Sequence, residues 1–113
     1  MNQEMQQFKA NFFKALAHPL RIQILEILSD QKLSVNQLQA IIGIDGSAIS
    51  QQLKVLRMYN MVLGIKEGNR VIYSLRDPMI ADLLDIARKI FNNQLITTIS
   101  ILDQLKEKPQ HEE

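Results

Sequence analysis

The chain has 113 residues, 46% hydrophobic and 22% charged, with aromatics at only 5% and no cysteine or tryptophan; this fits one domain with an aliphatic core and excludes disulfides, thiolate metal sites and thiol redox switches. No apolar run reaches the ~18 residues that span a bilayer. The opening MNQEMQQFKANFFKAL reads as an amphipathic helix and not a signal peptide, so a cytoplasmic protein is expected. The net charge of +1 is unevenly spread, with +4 over residues 14–76 and −3 over residues 77–113, and a basic middle is a mild nucleic-acid signal.

Met5, Phe8, Phe12 and Leu16, with Phe13 beside them, recur at helical spacing and predict a first helix over about residues 3–16. His18-Pro19 ends it, because the residue before a proline is pushed out of the helical region. Pro19 suits the first position of a second helix, whose apolar face is Leu20, Ile24, Ile27 and Leu28. His18 is expected to pack or cap at this junction.

Ser34-Val35-Asn36-Gln37 has the form of a capping box, in which a hydroxyl and an amide each satisfy the other residue's backbone N–H. Val35, Leu38 and Ile41 or Ile42 turn inward over two turns, and Gly43 stops the helix in a left-handed cap. Asp45 is a good N-cap for the next helix, GSAISQQLKVL. Two helices joined by a tight glycine-containing turn make a helix-turn-helix.

After Asn60 the apolar period changes from 3.6 to about 2. Strands are predicted at about 62–66 and 71–75, with Glu67-Gly68-Asn69 as the turn. A hairpin directly after such a helix is a wing. Asp77-Pro78 opens the last segment, where Ile80, Leu83, Leu84, Ala87, Ile90, Phe91, Leu95, Thr98, Leu102 and Leu105 follow helical spacing to about Lys106. Its LITTISIL stretch is β-branched enough to suit a strand, but helix is preferred, with a kink allowed at Asn92-Asn93. Residues 109–113 are expected to be a disordered tail.

The helix after Asp45 holds the chemistry. At 100° per residue, Ile49, Leu53 and Leu56 fall within about 60° of one another. Ser47, Gln51 and Lys54 lie opposite, with Ser50 and Arg57 on the flank. A small front end followed by an amide and cations suits the major groove, where Ser47, Ala48, Ser50 and Gln51 would read bases. Lys54 and Arg57 suit phosphates, which position without reading sequence. In the hairpin, Lys66, Asn69 and Arg70 lie near the tip, where a wing can track the backbone.

FKALAHPLRIQILEIL, LSVNQLQAIIGIDGSAISQQLKVLRMYNMV and GNRVIYSL together resemble the ArsR/SmtB family of bacterial winged-helix repressors, over roughly Phe13 to Leu75. The resemblance implies a mainly α winged helix-turn-helix with a small β-hairpin wing, in the order α-α-α-α-β-β-α. It implies a homodimer built from the first and last helices, here about 3–16 and 79–106, around a DNA-binding core of about 19–76 within one domain, 1–108. The function expected is a sequence-specific repressor on inverted-repeat, double-stranded operator DNA, and not an enzyme. Ser34, Asn36 and Gln37 join the DNA-backbone set. A long apolar last helix gives Ile90, Leu95, Ile99 and Leu102, with Phe8 and Phe12, as the dimer interface.

Many members of that family release DNA on binding metal, through a CVC element or through Asp and His on the last helix. Here Ser34-Val35-Asn36 stands at the first place. Asp82 and Asp85 stand at the second without an expected histidine, and read as a solvated face. No metal and no cofactor is therefore expected, and the sequence names no effector. Gln51-Gln52 replaces the family's frequent histidine pair, so an operator sequence does not transfer. The alternative is a winged-helix protein-contact module without DNA binding.

Overall fold

The computed structural model describes residues 2–111, with side chains described through Lys106. The elements run α1 (Gln3–Ala15), α2 (Pro19–Leu28), α3 (Val35–Ile42), α4 (Gly46–Met58), β1 (Val62–Glu67), β2 (Arg70–Leu75) and α5 (Met79–His111). Residues 2–81 and the stretch from Asp82 onward form two compact units.

In the first unit the starts of α1, α2 and α3 and the end of α3 each have a chemical cause. Asn2 Oδ1 accepts from the Met5 amide at 2.8 Å and starts α1. His18 is the N-cap of α2, its Nδ1 accepting from the Leu20 amide at 3.2 Å, with Pro19 at the first helical position. The capping box forms: Ser34 Oγ accepts from the Gln37 amide at 3.3 Å, and Gln37 Oε1 from the Ser34 amide at 2.9 Å. Gly43, at φ 81°, closes α3.

The end of α4 uses a device the sequence reading passed over. Asn60 takes a left-handed φ of 59°; its amide bonds to the Arg57 carbonyl at 3.0 Å and that of Met61 to the Leu56 carbonyl at 2.9 Å. These are the two bonds of a Schellman motif, with asparagine in the place usually held by glycine. Met61 and Leu56, the apolar pair that accompanies it, are both fully buried.

The core gathers Ile24, Leu25 and Leu28 of α2, Leu38 of α3, and Ile49, Leu53 and Leu56 of α4, closed by Leu33, Met61 and Val62. Leu25 belongs to it, although the spacing argument did not select it, while Leu20 and Ile27 are half-buried. Ile42 is half-buried and Ile41 is 52% exposed, which settles which of the two turns inward. α4 packs on α2 and α3, and the hairpin packs against these same helices.

The hairpin is antiparallel with Glu67 opposite Arg70, so each strand is one residue longer than expected and the turn is Gly68-Asn69 alone. Only Gly68 takes a positive φ, 62°. Leu33 adds a bridge on the far side of β2, exchanging bonds with Tyr73 at 3.0 and 2.7 Å. This pairing ties the start of α3 to the wing.

In the second unit α5 is continuous through Asn92-Asn93, so LITTISIL is helical. The backbone helix also continues past Lys106 to His111. The disordered tail expected from residue 109 is thus corrected as far as His111, and residues 112 and 113 lie outside the described residues. A histidine therefore does lie within the last helix. Asp85 pairs with Arg88 and with Lys89 Nζ, the latter at 3.3 Å. The Arg88 hydrogen bond and then Lys89 hold its carboxyl below the usual carboxylate range.

Candidate nucleic-acid interface

α4 divides cleanly. Ile49, Leu53 and Leu56 are 0% exposed, whereas Ser47, Ser50, Gln51, Lys54 and Arg57 are exposed. Ala48 is half-buried at the edge between the two sides. The outer face thus presents two hydroxyls and an amide, followed by two cations over the last turns. Ser50, Lys54, Arg57 and Met58 line an open depression of about 570 Å³ together with Tyr73 of β2. Tyr73 was not singled out from sequence. Its signal was Gly64 in the partner strand, since a strand glycine marks a close approach. Gly64 pairs with Tyr73, and a Cβ there would lie 3.1 Å from the Tyr73 ring and 3.0 Å from Val71.

The front of α4 departs from expectation in two ways. Asp45 occupies the N-cap position but makes no side-chain bond to a backbone amide. Its carboxylate instead accepts from the Ser47 hydroxyl. Ser47 therefore spends its one donor on Asp45 and keeps its lone pairs for other partners. Gly46 is half-buried, and a Cβ on it would lie 2.8 Å from Gln39 Oε1 of α3. A side chain at Gly46 would thus point at α3.

On α3, Asn36 and Gln37 are exposed. Ser34 is 3% exposed with its hydroxyl in the capping box, so it is withdrawn from the phosphate-contact set. In the wing, Lys66, Asn69 and Arg70 are all exposed. Directly opposed residues of an antiparallel pair share a face, and Lys66 opposes Val71 while Glu67 opposes Arg70. Lys66 therefore lies on the Gly64–Tyr73 face that borders the depression. Arg70 lies on the other face, beside a carboxylate.

Gln52, next to Gln51, is half-buried and accepts from Arg21 at 3.1 Å, so the two adjacent glutamines have different surroundings. Phe8 is 71% exposed, Ile90 50%, Leu95 58%, Ile99 49% and Leu102 51%, while Phe12 is half-buried. Among the described residues, no three His, Asp or Glu side chains gather as a metal site, and no helix is long and apolar enough to cross a membrane.

Comparison with known proteins agrees with this geometry. The HTH-type transcriptional regulator Rv0081 of Mycobacterium tuberculosis, itself uncharacterized, is 42% identical over 106 residues, 93% of either chain. Its crystal structure superposes with a TM-score of 0.79, covering 87% of this chain and 99% of that one. The biofilm growth-associated repressor of Xylella fastidiosa is 34% identical over 75% of each chain. The solution structure of the homodimeric winged helix-turn-helix DNA-binding domain Mb0332 from Mycobacterium bovis is 25% identical, with a TM-score of 0.75 over 81% of this chain and 85% of that one. Residues 18–62 match the family described as bacterial regulatory protein, arsR family. With this match across the helix-turn-helix, and a relative of 42% identity along nearly its whole length, the chain belongs to the arsR family of bacterial regulatory proteins and is a transcriptional regulator.

Proposed function

We propose that the chain acts in the cytoplasm as a homodimeric repressor that binds an inverted-repeat operator in double-stranded DNA. The observation that carries this reading is the outer face of α4, where Ser47, Ser50, Gln51, Lys54 and Arg57 are exposed over a fully buried Ile49-Leu53-Leu56 seam. Gln51 reads a base edge in the major groove, with Ser47, Ser50 and the edge residue Ala48 closing on the bases beside it. Lys54 and Arg57 hold phosphates around the depression, and Tyr73 adds a hydroxyl there. Asn36 and Gln37 of α3 approach the backbone from the other side of the turn. Lys66 extends the α4 surface along β1, and Asn69 and Arg70 reach from the tip.

Dimerisation is supported by the exposed apolar residues Phe8, Ile90, Leu95, Ile99 and Leu102, together with Phe12. Mb0332 is described as homodimeric, and the Xylella relative as a repressor. Metal plays no part in release in this reading, because Ser34 and Asn36 stand where thiolates would be needed.

The test is a gel shift on the DNA upstream of the protein's own gene, against scrambled DNA, at two salt concentrations. The upstream DNA should be shifted preferentially, and binding should weaken steeply with salt. Absence of a specific shift would support the protein-contact alternative.

A further inference from the structure

Arg21, half-buried in the first turn of α2, joins three helices through one guanidinium. Its Nε donates to the Ala15 carbonyl at 2.7 Å and one Nη to the Lys14 carbonyl at 3.3 Å. The other Nη donates to Gln52 Oε1 on α4 at 3.1 Å. Lys14 and Ala15 are the last two residues of α1. Carbonyls there carry the negative end of the helix dipole, and although that of Lys14 also accepts from the Ala17 amide at 3.0 Å, a cation is well placed among them. The fork is planar, rigid and always charged, so the direction of its α1 bonds dictates where the other Nη points.

That Nη holds the residue next to Gln51. A side-chain tip on a helix sits ~5–6 Å from the axis, so a roll of about 10° moves it by about 1 Å. A shift of that size spoils a bidentate amide–adenine contact, whose distances span only a few tenths of an ångström. A phosphate contact made by a long lysine tolerates it. Apolar packing of Ile49, Leu53 and Leu56 opposes large rotations of α4 but is not directional, whereas the Arg21–Gln52 bond is. We propose that Arg21 is a positioning residue for sequence reading: through Gln52 it sets the roll of α4 and links that roll to the seating of α1. The inference rests on α4 being the reading helix.

The test uses Gln52→Met, Gln52→Glu, Arg21→Met and the double variant Arg21→Met/Gln52→Met. Affinities for operator and scrambled DNA are measured by anisotropy at two salt concentrations, with circular dichroism melts alongside. Gln52→Met keeps both bonds to α1, so it isolates the α4 arm even where Arg21→Met loses stability. Gln52→Met should lower the operator-to-scrambled affinity ratio about tenfold, the scale of one lost hydrogen bond to a charged group. Scrambled-DNA affinity and salt slope should stay unchanged. Gln52→Glu keeps the acceptor, so its added charge lowers both affinities but leaves the ratio within about twofold. The double variant should have a ratio no lower than the worse single variant. A wild-type ratio in Gln52→Met, an equal fall on both DNAs in that variant, or multiplicative losses in the double variant would overturn the inference while DNA reading by α4 stands. Wild-type protein that binds no operator would overturn the DNA reading, and this inference with it.

Discussion

Gly46→Ala separates two reasons for a small residue at the front of α4. An added Cβ would lie 2.8 Å from Gln39 Oε1, and 3.6 Å from both Gln39 Cδ and Val35 Cγ1. The tight contact is with the far end of an exposed, flexible side chain. Moving it off its preferred rotamer costs about 0.5–1.5 kcal/mol. Against this, alanine gains up to about 1 kcal/mol over glycine inside a helix, and less in the first turn. The two effects nearly cancel, so folding stability should change by less than about 1 kcal/mol and the melting temperature by less than about 6 °C. Because the Cβ points at α3, operator affinity should stay within twofold. Thermal melts by circular dichroism and fluorescence anisotropy on operator DNA check both numbers. A variant with wild-type melting but tenfold weaker operator binding would refute the packing explanation and place Gly46 against the DNA. A melting drop beyond ~10 °C would show that Gln39 cannot give way.

Gln51→Ala should cost ~1–3 kcal/mol on the operator and relax preference at one base pair, whereas Lys54→Ala should weaken all sequences alike and lower the salt slope by about one unit; salt-titrated anisotropy distinguishes them. Ser34→Ala removes the capping hydroxyl and should cost ~0.5–2 kcal/mol of stability in urea melts, with the salt slope unchanged, since the buried hydroxyl contacts no phosphate. Zinc, cadmium or arsenite at stoichiometric, micromolar concentration should not release a protein–operator complex followed by anisotropy. Sedimentation should show a dimer at micromolar concentration, and a monomer there would remove the two-half-site reading.

Much of this was legible because it depends on local chemistry. The Ser34–Gln37 box, the proline at the start of α2, the left-handed Gly43 and the change of period after Asn60 each act over a few residues. They set element limits almost to the residue. The Ile49-Leu53-Leu56 seam was legible because burial on one helix face follows its 3.6-residue period. Leu25 was missed because α2 packs on more than one neighbour, and a single-stripe count cannot register a helix buried over a wider arc. The Schellman end of α4 was missed because asparagine is a weaker left-handed signal than glycine.

The site was less legible than the fold, because its polar side chains spend their hydrogen bonds on one another before any partner arrives. Ser47 and Gln52 look like free polar groups in sequence. Ser47 donates to Asp45, and Gln52 answers Arg21, thirty-one positions away. Helical spacing cannot reveal these partners, since they depend on how helices pack and where the chain turns. Of the two adjacent glutamines, only Gln51 keeps an exposed side chain on the outer face. The wing is governed in the same way. Lys66 and Arg70 look alike as two cations flanking a turn, yet the register turns them to opposite faces. Only Lys66 shares a face with Tyr73, which lines the same depression as Lys54 and Arg57. Strand register therefore decides which wing cation continues the α4 surface, just as helix packing decides which glutamine belongs to it.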